Sequence, residues 1–112
     1  MPRGAFLGEF EQIILLAVVR LKDAAYGITI RDEIEDRTGR DISIGSVYSA
    51  LDRMERRAFV SSALGEPSAA RGGRAKRFYA IEKPGVFALH ESKLSLASLW
   101  DGVDLDPDAW QP

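Results

Sequence analysis

Hydroxyl and basic side chains that can bind nucleic acid are concentrated in residues 43–57 and 71–77. The first stretch has serines and arginines on one side of a helical wheel, and the second surrounds a Gly-Gly pair between two apolar runs. A helix with a small, hydroxylated and basic face, followed by a basic hairpin, is typical of a winged helix-turn-helix that contacts double-stranded DNA. The predicted DNA-binding residues are Ser43, Ser46, Tyr48, Ser49, Arg53, Arg56, Arg57, Arg71, Arg74, Lys76 and Arg77.

Their positions on the wheel also predict a division of roles. Ser46 and the lateral Tyr48 are expected to hold phosphates, which position a protein without reading sequence. Ser49 and Arg53 are expected to reach base edges, where hydroxyl and guanidinium groups discriminate between bases.

The distribution of charge agrees with a local nucleic-acid interface. The net charge of the whole chain is −2, so a global excess of basic residues is missing. Residues 50–80 nevertheless hold 7 Lys/Arg against 3 Asp/Glu, whereas residues 1–49 and 81–112 are both net acidic. The positive segment therefore coincides with the predicted helix and hairpin.

Patterns that would indicate an enzyme are missing. The chain has no cysteine, its single histidine, His90, is predicted to lie within a helix, and the Gly72-Gly73-Arg74 sequence lacks the end of a phosphate-binding Walker loop. The carboxylates of residues 32–36 point around a helix, which favours a solvated face over a metal site. We expect no catalytic residue, no metal and no cofactor.

The pattern of apolar residues predicts a mainly α fold with a small β-hairpin, a winged helix-turn-helix domain plus one C-terminal dimerisation helix. Residues 1–81 are the predicted DNA-binding domain, 82–100 the dimerisation helix and 101–112 a flexible tail. Four helices are predicted, and three of them cover 7–21, 26–38 and 84–100. The remaining helix follows the Ser43 cap and has Ala58 on its inner side. The predicted strands cover 59–63 and 76–81, with a short third strand at Ile42.

The longest apolar run, 13–19, is far below the ~20 residues that span a bilayer, so a cytoplasmic protein without membrane contact is expected.

The first and last helices have more apolar surface than one small core can cover, which predicts a homodimer. Trp100 is predicted to lie in the dimer contact, where an interface core role is the plainer interpretation. The alternative is an apolar cleft for a small aromatic effector, lined by Phe10, Ile14, Leu96 and Trp100.

Tyr26-Gly27, the segment from Gly45 to Glu55, the segment from Gly72 to Ile81, and Gly85 resemble the PadR-like winged-helix transcriptional regulators over about residues 7–100. The single helix after the hairpin is similar to the short subfamily. The resemblance implies a homodimeric repressor, joined through the first and C-terminal helices, that binds an inverted-repeat operator and is released by a small effector.

Three positions depart from the pattern of that family. Ser49 replaces a usual proline, Ala58 a frequent glycine, and Glu82 a common capping threonine. None of them removes a basic residue that would face DNA.

A winged-helix module that binds protein instead of DNA is the alternative function, because one fold serves both. Arg71, Arg74, Lys76 and Arg77 favour DNA, since lysine is depleted at protein interfaces.

Overall fold

The computed structural model describes residues 6–66 and 75–111. In chain order these residues form α1 (Glu9–Leu21), a 3-10 turn (Lys22–Ala24), α2 (Gly27–Thr38), α3 (Ile44–Arg56), β1 (Val60–Leu64), β2 (Arg77–Ile81) and α4 (Lys83–Trp100). The strands pair antiparallel in a hairpin, with Val60 opposite Ile81 and Leu64 opposite Arg77. The predicted mainly α fold with one hairpin is confirmed.

One core joins the first three helices to the base of the hairpin. Its largest fully buried side chains are Ile14, Leu15, Val18, Ile30, Val47, Leu51, Met54 and Val60. The inner face predicted for α3 is confirmed at Val47, Ala50, Leu51 and Met54, all 0% exposed. Because this face is buried, the opposite side of α3 is left to the solvent.

Two local predictions are wrong. The sheet of the described residues has two strands, and Ile42 packs against the core as a partly buried side chain instead of forming a third strand. Ala58 lies beyond the end of α3, is exposed and has a φ of 62°. The chain turns into β1 through this left-handed residue, a conformation that favours glycine.

One ion pair of Glu33 joins the outer surfaces of α1 and α2, and a second lies within α2. Glu33 accepts hydrogen bonds from Arg37 Nε at 2.6 Å and from Arg20 Nε at 3.1 Å. These two bonds hold the pKa of the Glu33 carboxyl below its ordinary value. The acidic side of α2 thus serves at least partly as a structural contact, and no group of three or more His, Cys, Asp or Glu side chains in the described ranges is placed to hold a metal ion.

Helix α4 begins beside the hairpin and extends past the core. Glu82 precedes it, and its Oε2 accepts a hydrogen bond from Ser61 Oγ at 2.6 Å instead of capping the helix. Gly85, Ala88 and Ser92 are buried, whereas every residue from 93 to 100 is exposed. Residues 101–111 contain turns but neither helix nor strand. Across 6–66 and 75–111, no helix is long and apolar enough to cross a membrane.

Candidate nucleic-acid interface

The start of α3 is determined by a serine cap. Ser43 Oγ accepts a hydrogen bond from the Ser46 backbone N–H at 3.1 Å, which satisfies an amide that the helix itself leaves free. The two hydroxyl oxygens also lie 2.8 Å apart, within hydrogen-bond distance. The cap predicted at Ser43 is confirmed, and it places Ser46 on the open side of the helix.

A shallow concavity of about 520 Å³ lies along the outer side of α3, lined by Phe10, Ser43, Gly45, Ser46, Ser49 and Arg53. Among the residues that the structure describes, Arg53 has no carboxylate within ion-pair distance. Its guanidinium is therefore available to a ligand. Phe10 in α1 was not predicted to lie here, because a contact between two different helices leaves no signal in the local sequence pattern.

Two other predicted arginines already have partners within the chain. Arg56 forms an ion pair with Asp52, one helical turn earlier, and the Arg57 guanidinium lies 4.5 Å from the centre of the Phe59 ring. The Arg56 side chain is still 73% exposed, so a phosphate can compete with Asp52 for it. Such surface ion pairs contribute little free energy.

A second concavity of about 560 Å³ separates α3 from the hairpin. It is lined by Tyr26, Ile28, Tyr48, Leu64, Ala75, Lys76 and Arg77. Tyr48 lies directly over Gly27, where any Cβ would overlap its phenol ring. Glycine at position 27 therefore permits this close approach, and any other residue there would require the Tyr48 side chain to move. The adjacent Tyr26 was not among the predicted site residues.

Hydrogen bonds attach the hairpin to the helices. Arg77 Nη1 donates to Ser62 Oγ at 3.0 Å, and Ser62 Oγ donates to Glu55 Oε2 of α3 at 2.7 Å. The Tyr79 backbone N–H donates to the Ala25 carbonyl at 2.8 Å. Burial first, and then the nearby Glu55 carboxylate, raise the pKa of the Tyr79 phenol, so this side chain is neutral at physiological pH. Arg77 is thus bonded to Ser62 of strand β1, and Ser62 in turn connects it to Glu55 of α3.

Most of the predicted DNA-facing residues of the described chain line two concavities, one along α3 and one between α3 and the hairpin, whereas Arg56 and Arg57 line neither. Ser43, Ser46, Ser49 and Arg53 line the first concavity, and Tyr48, Lys76 and Arg77 line the second. Arg71 and Arg74 lie outside the described residues. The arrangement matches what backbone and groove contacts with a nucleic acid require, namely exposed cations and hydroxyls on a rigid helix.

The four residues predicted to line an effector cleft do not lie together in the single chain. Leu96 and Trp100 line an apolar groove of about 650 Å³ between α1 and α4, together with Leu16, Val19, Val86 and Leu89. Ile14 is 0% exposed in the core, and Phe10 lies beside α3. The error arose because α1 is apolar nearly all round, so periodicity did not show which side meets its own core.

The fold and the exposed face of α3 define a winged helix-turn-helix protein. The model of the transcriptional regulator PadR-like family matches residues 15–91, more than half of the 112-residue chain. The chain belongs to this family and is a DNA-binding transcription regulator. This assignment favours DNA over the alternative of a protein-binding module.

Solved structures share the fold. A PadR-like transcriptional regulator from Bacillus cereus strain ATCC 14579 superposes with a TM-score of 0.67 at 24% identity, covering 82% of this chain and 84% of that one. A PadR family regulator from Clostridium difficile R20291 gives 0.64 at 24% identity, with 82% and 95% covered. One from Eggerthella lenta DSM 2243 gives 0.67 at 21% identity, with 84% and 81% covered. At these identities the likeness shows the fold alone. No curated protein matches the chain in sequence.

Proposed function

We propose that the chain is a homodimeric repressor that binds an inverted-repeat operator and is released by a small effector. The dimer is inferred from the apolar surface of α4, where Leu96, Leu99 and Trp100 are 55%, 74% and 53% exposed. Together with the groove between α1 and α4, this surface is typical of one that a second copy covers. In this proposal residues 1–81 bind DNA, 82–100 join the subunits and 101–112 form a tail.

A two-fold symmetric contact explains why the operator would be an inverted repeat. The same surface of each subunit meets the other, so the two α3 helices point in opposite directions. Dimers of this kind place their recognition helices about 34 Å apart, one turn of DNA. Light scattering tests the dimer, since the proposal requires about twice the 12.4 kDa of one chain at micromolar concentration. Repression is what the resemblance to the family implies.

Within the interface, we assign phosphate contacts to Ser46 and Tyr48 and base contacts to Ser49 and Arg53. Ser46, Ser49 and Arg53 all line the open concavity of α3, so the division between phosphate and base contacts rests on their places on the helical wheel. Tyr48 is 44% exposed beside the hairpin, where a DNA strand that passes between α3 and the hairpin would run.

Replacing Arg53 should therefore reduce discrimination between sequences, whereas replacing Ser46 should not. We expect Arg53→Ala to reduce the binding free energy by about 1–3 kcal/mol on the operator and by much less on random duplex. Ser46→Ala should weaken both duplexes by a similar factor, because a phosphate contact carries no sequence information. Anisotropy titrations on both duplexes measure the ratio of operator affinity to random-duplex affinity for each variant. Equal ratios for the two variants would contradict the assignment.

We place the effector in the groove between α1 and α4, at the proposed subunit contact, where the second copy would close over it. The walls of the groove are almost entirely apolar, with Gln12, His90 and Lys93 as the polar exceptions, and Trp100 lies at one end. A flat aromatic ligand fits such a surface by stacking on the indole ring. It would regulate binding only if its affinity differs between the DNA-bound and the released dimer.

Planar aromatic compounds should quench Trp100 fluorescence and weaken operator binding over the same range of concentration. Trp110 is also exposed and emits, so the titration needs a Trp110→Phe background. In that background, quenching without any change in DNA affinity would leave Trp100 with a purely structural role. A loss of operator affinity on adding the compounds that persists after Trp100→Ala would place the ligand elsewhere.

A further inference from the structure

Tyr26 lines the concavity between α3 and the hairpin and immediately precedes α2. Its hydroxyl oxygen accepts a hydrogen bond from Lys76 Nζ at 3.2 Å. The same ammonium group lies 4.3 Å from the centre of the Tyr26 ring, within the range of a cation–π contact. Lys76 is therefore held by both the hydroxyl and the face of a single side chain, 50 residues away in sequence.

The support for Tyr26 is itself rigid. The ring of Phe78 in β2 meets the Tyr26 ring edge-on, with 5.4 Å between centres. The backbone of β2 is bonded to the residue before Tyr26 through Tyr79 N–H and the Ala25 carbonyl, and Ala25 is 0% exposed. Tyr26 and the strand that follows Lys76 thus form one unit, which determines the direction of the lysine side chain.

The ammonium group retains capacity for a further ligand. A lysine has three N–H donors, and the described residues take one of them. Tyr48 and Arg77 line the same concavity, which adds a second cation and a second phenol hydroxyl to its lining. Such a set of donors, without a carboxylate among the lining residues, suits an anionic phosphate.

We propose that Tyr26 is a positioning residue for DNA binding, which holds Lys76 in the cleft between α3 and the hairpin so that its ammonium binds a backbone phosphate. Binding costs less when the lysine is ordered beforehand, because a free lysine loses about 2 kcal/mol of side-chain entropy on fixation. The inference rests on the proposed DNA-binding function and adds a residue that does not itself need to touch DNA.

The test is a double-mutant cycle of Tyr26→Phe and Lys76→Met on the full-length protein with operator duplex. Tyr26→Phe removes the hydroxyl and retains the ring that packs on Phe78. Tyr48→Phe is the matched control, because it removes the other phenol hydroxyl of the cleft, for which no bond to Lys76 is present among the described residues. Affinity is measured between 50 and 200 mM salt, and thermal unfolding of each variant shows whether its fold is retained.

We expect Tyr26→Phe to weaken binding about threefold to tenfold in the wild-type background, as the loss of one hydrogen bond does, and to have almost no effect when Lys76 is already methionine. Lys76→Met should lower the steepness of the salt dependence by about 0.9 for each phosphate that the protein no longer neutralises. Tyr26→Phe should leave the slope close to that of the wild type, because a less ordered Lys76 can still reach the phosphate. Tyr48→Phe should weaken binding by the same factor with and without Lys76.

Three results would overturn the proposal. Additive effects of Tyr26→Phe and Lys76→Met would leave Tyr26 with a structural role or a DNA contact of its own. A Tyr26→Phe variant that binds operator with wild-type affinity would show that Lys76 does not depend on the hydroxyl. A Lys76→Met variant that binds as wild type would remove the phosphate contact, and this variant leaves Tyr26 intact should Tyr26→Phe fail to fold. If the wild-type protein binds no DNA, the proposed function fails first.

Discussion

Replacing Gly45 by glutamate should abolish DNA binding while leaving the fold at least as stable as before. Gly45 is exposed near the start of α3, and a Cβ added there meets nothing within 4 Å. Replacing a helical glycine by another residue stabilises the fold by up to about 1 kcal/mol, and a carboxylate in the first turn interacts favourably with the helix dipole. Stability and DNA affinity should therefore change in opposite directions.

The loss of affinity should be at least about a hundredfold, because a carboxylate next to phosphates costs several kcal/mol and each dimer carries two of them. Gly45→Gln is the matched control, with the same length and no charge, and it should weaken binding much less. Anisotropy titration with operator duplex measures the affinity, and thermal unfolding measures the stability. A folded Gly45→Glu variant with wild-type affinity would exclude this face of α3 from the interface.

Replacing Leu96 by glutamate should separate the proposed dimer into monomers. Leu96 is 55% exposed in the single chain, so the substitution does little to the core of one subunit. In a dimer it would bury an unpaired charge, which costs several kcal/mol. Loss of the second subunit should lower operator affinity about a hundredfold to ten-thousandfold, because two linked half-sites bind that much more tightly than one.

Ser95→Glu provides the control for this experiment. It adds the same charge to the same exposed part of α4, at a position outside the groove between α1 and α4. Light scattering and DNA titration should leave Ser95→Glu close to wild type and show Leu96→Glu as a monomer. A Leu96→Glu variant that is still dimeric would place the subunit contact on another surface.

Elements formed by contacts close in sequence could be predicted well. The inner face of α3 follows from the helical period of Val47, Leu51 and Met54, and Ser43 could be recognised as a cap from residue type alone. The family and the winged-helix fold were also correctly predicted, because the α3 and hairpin motifs occur together.

Contacts between distant elements could not be predicted. The neighbours of Tyr26 include Lys76 and Phe78, and nothing in the local pattern indicates which aromatic residue meets the hairpin. The same limitation put Ile14 in a cleft, since Ile14 and Leu16 are both apolar residues of α1 but only Leu16 lies on the groove. Periodicity shows that a helix is apolar on several sides, but not which side its own chain covers.

The most direct test of DNA binding through α3 and the hairpin is the salt dependence of wild-type affinity. The duplex is taken from the promoter of the protein's own gene, and Kd is measured by anisotropy between 50 and 200 mM salt. If a dimer neutralises about six to ten phosphates, the affinity should fall about a thousandfold or more over this range. A flat salt response, or the absence of binding at the lowest salt, would contradict the account.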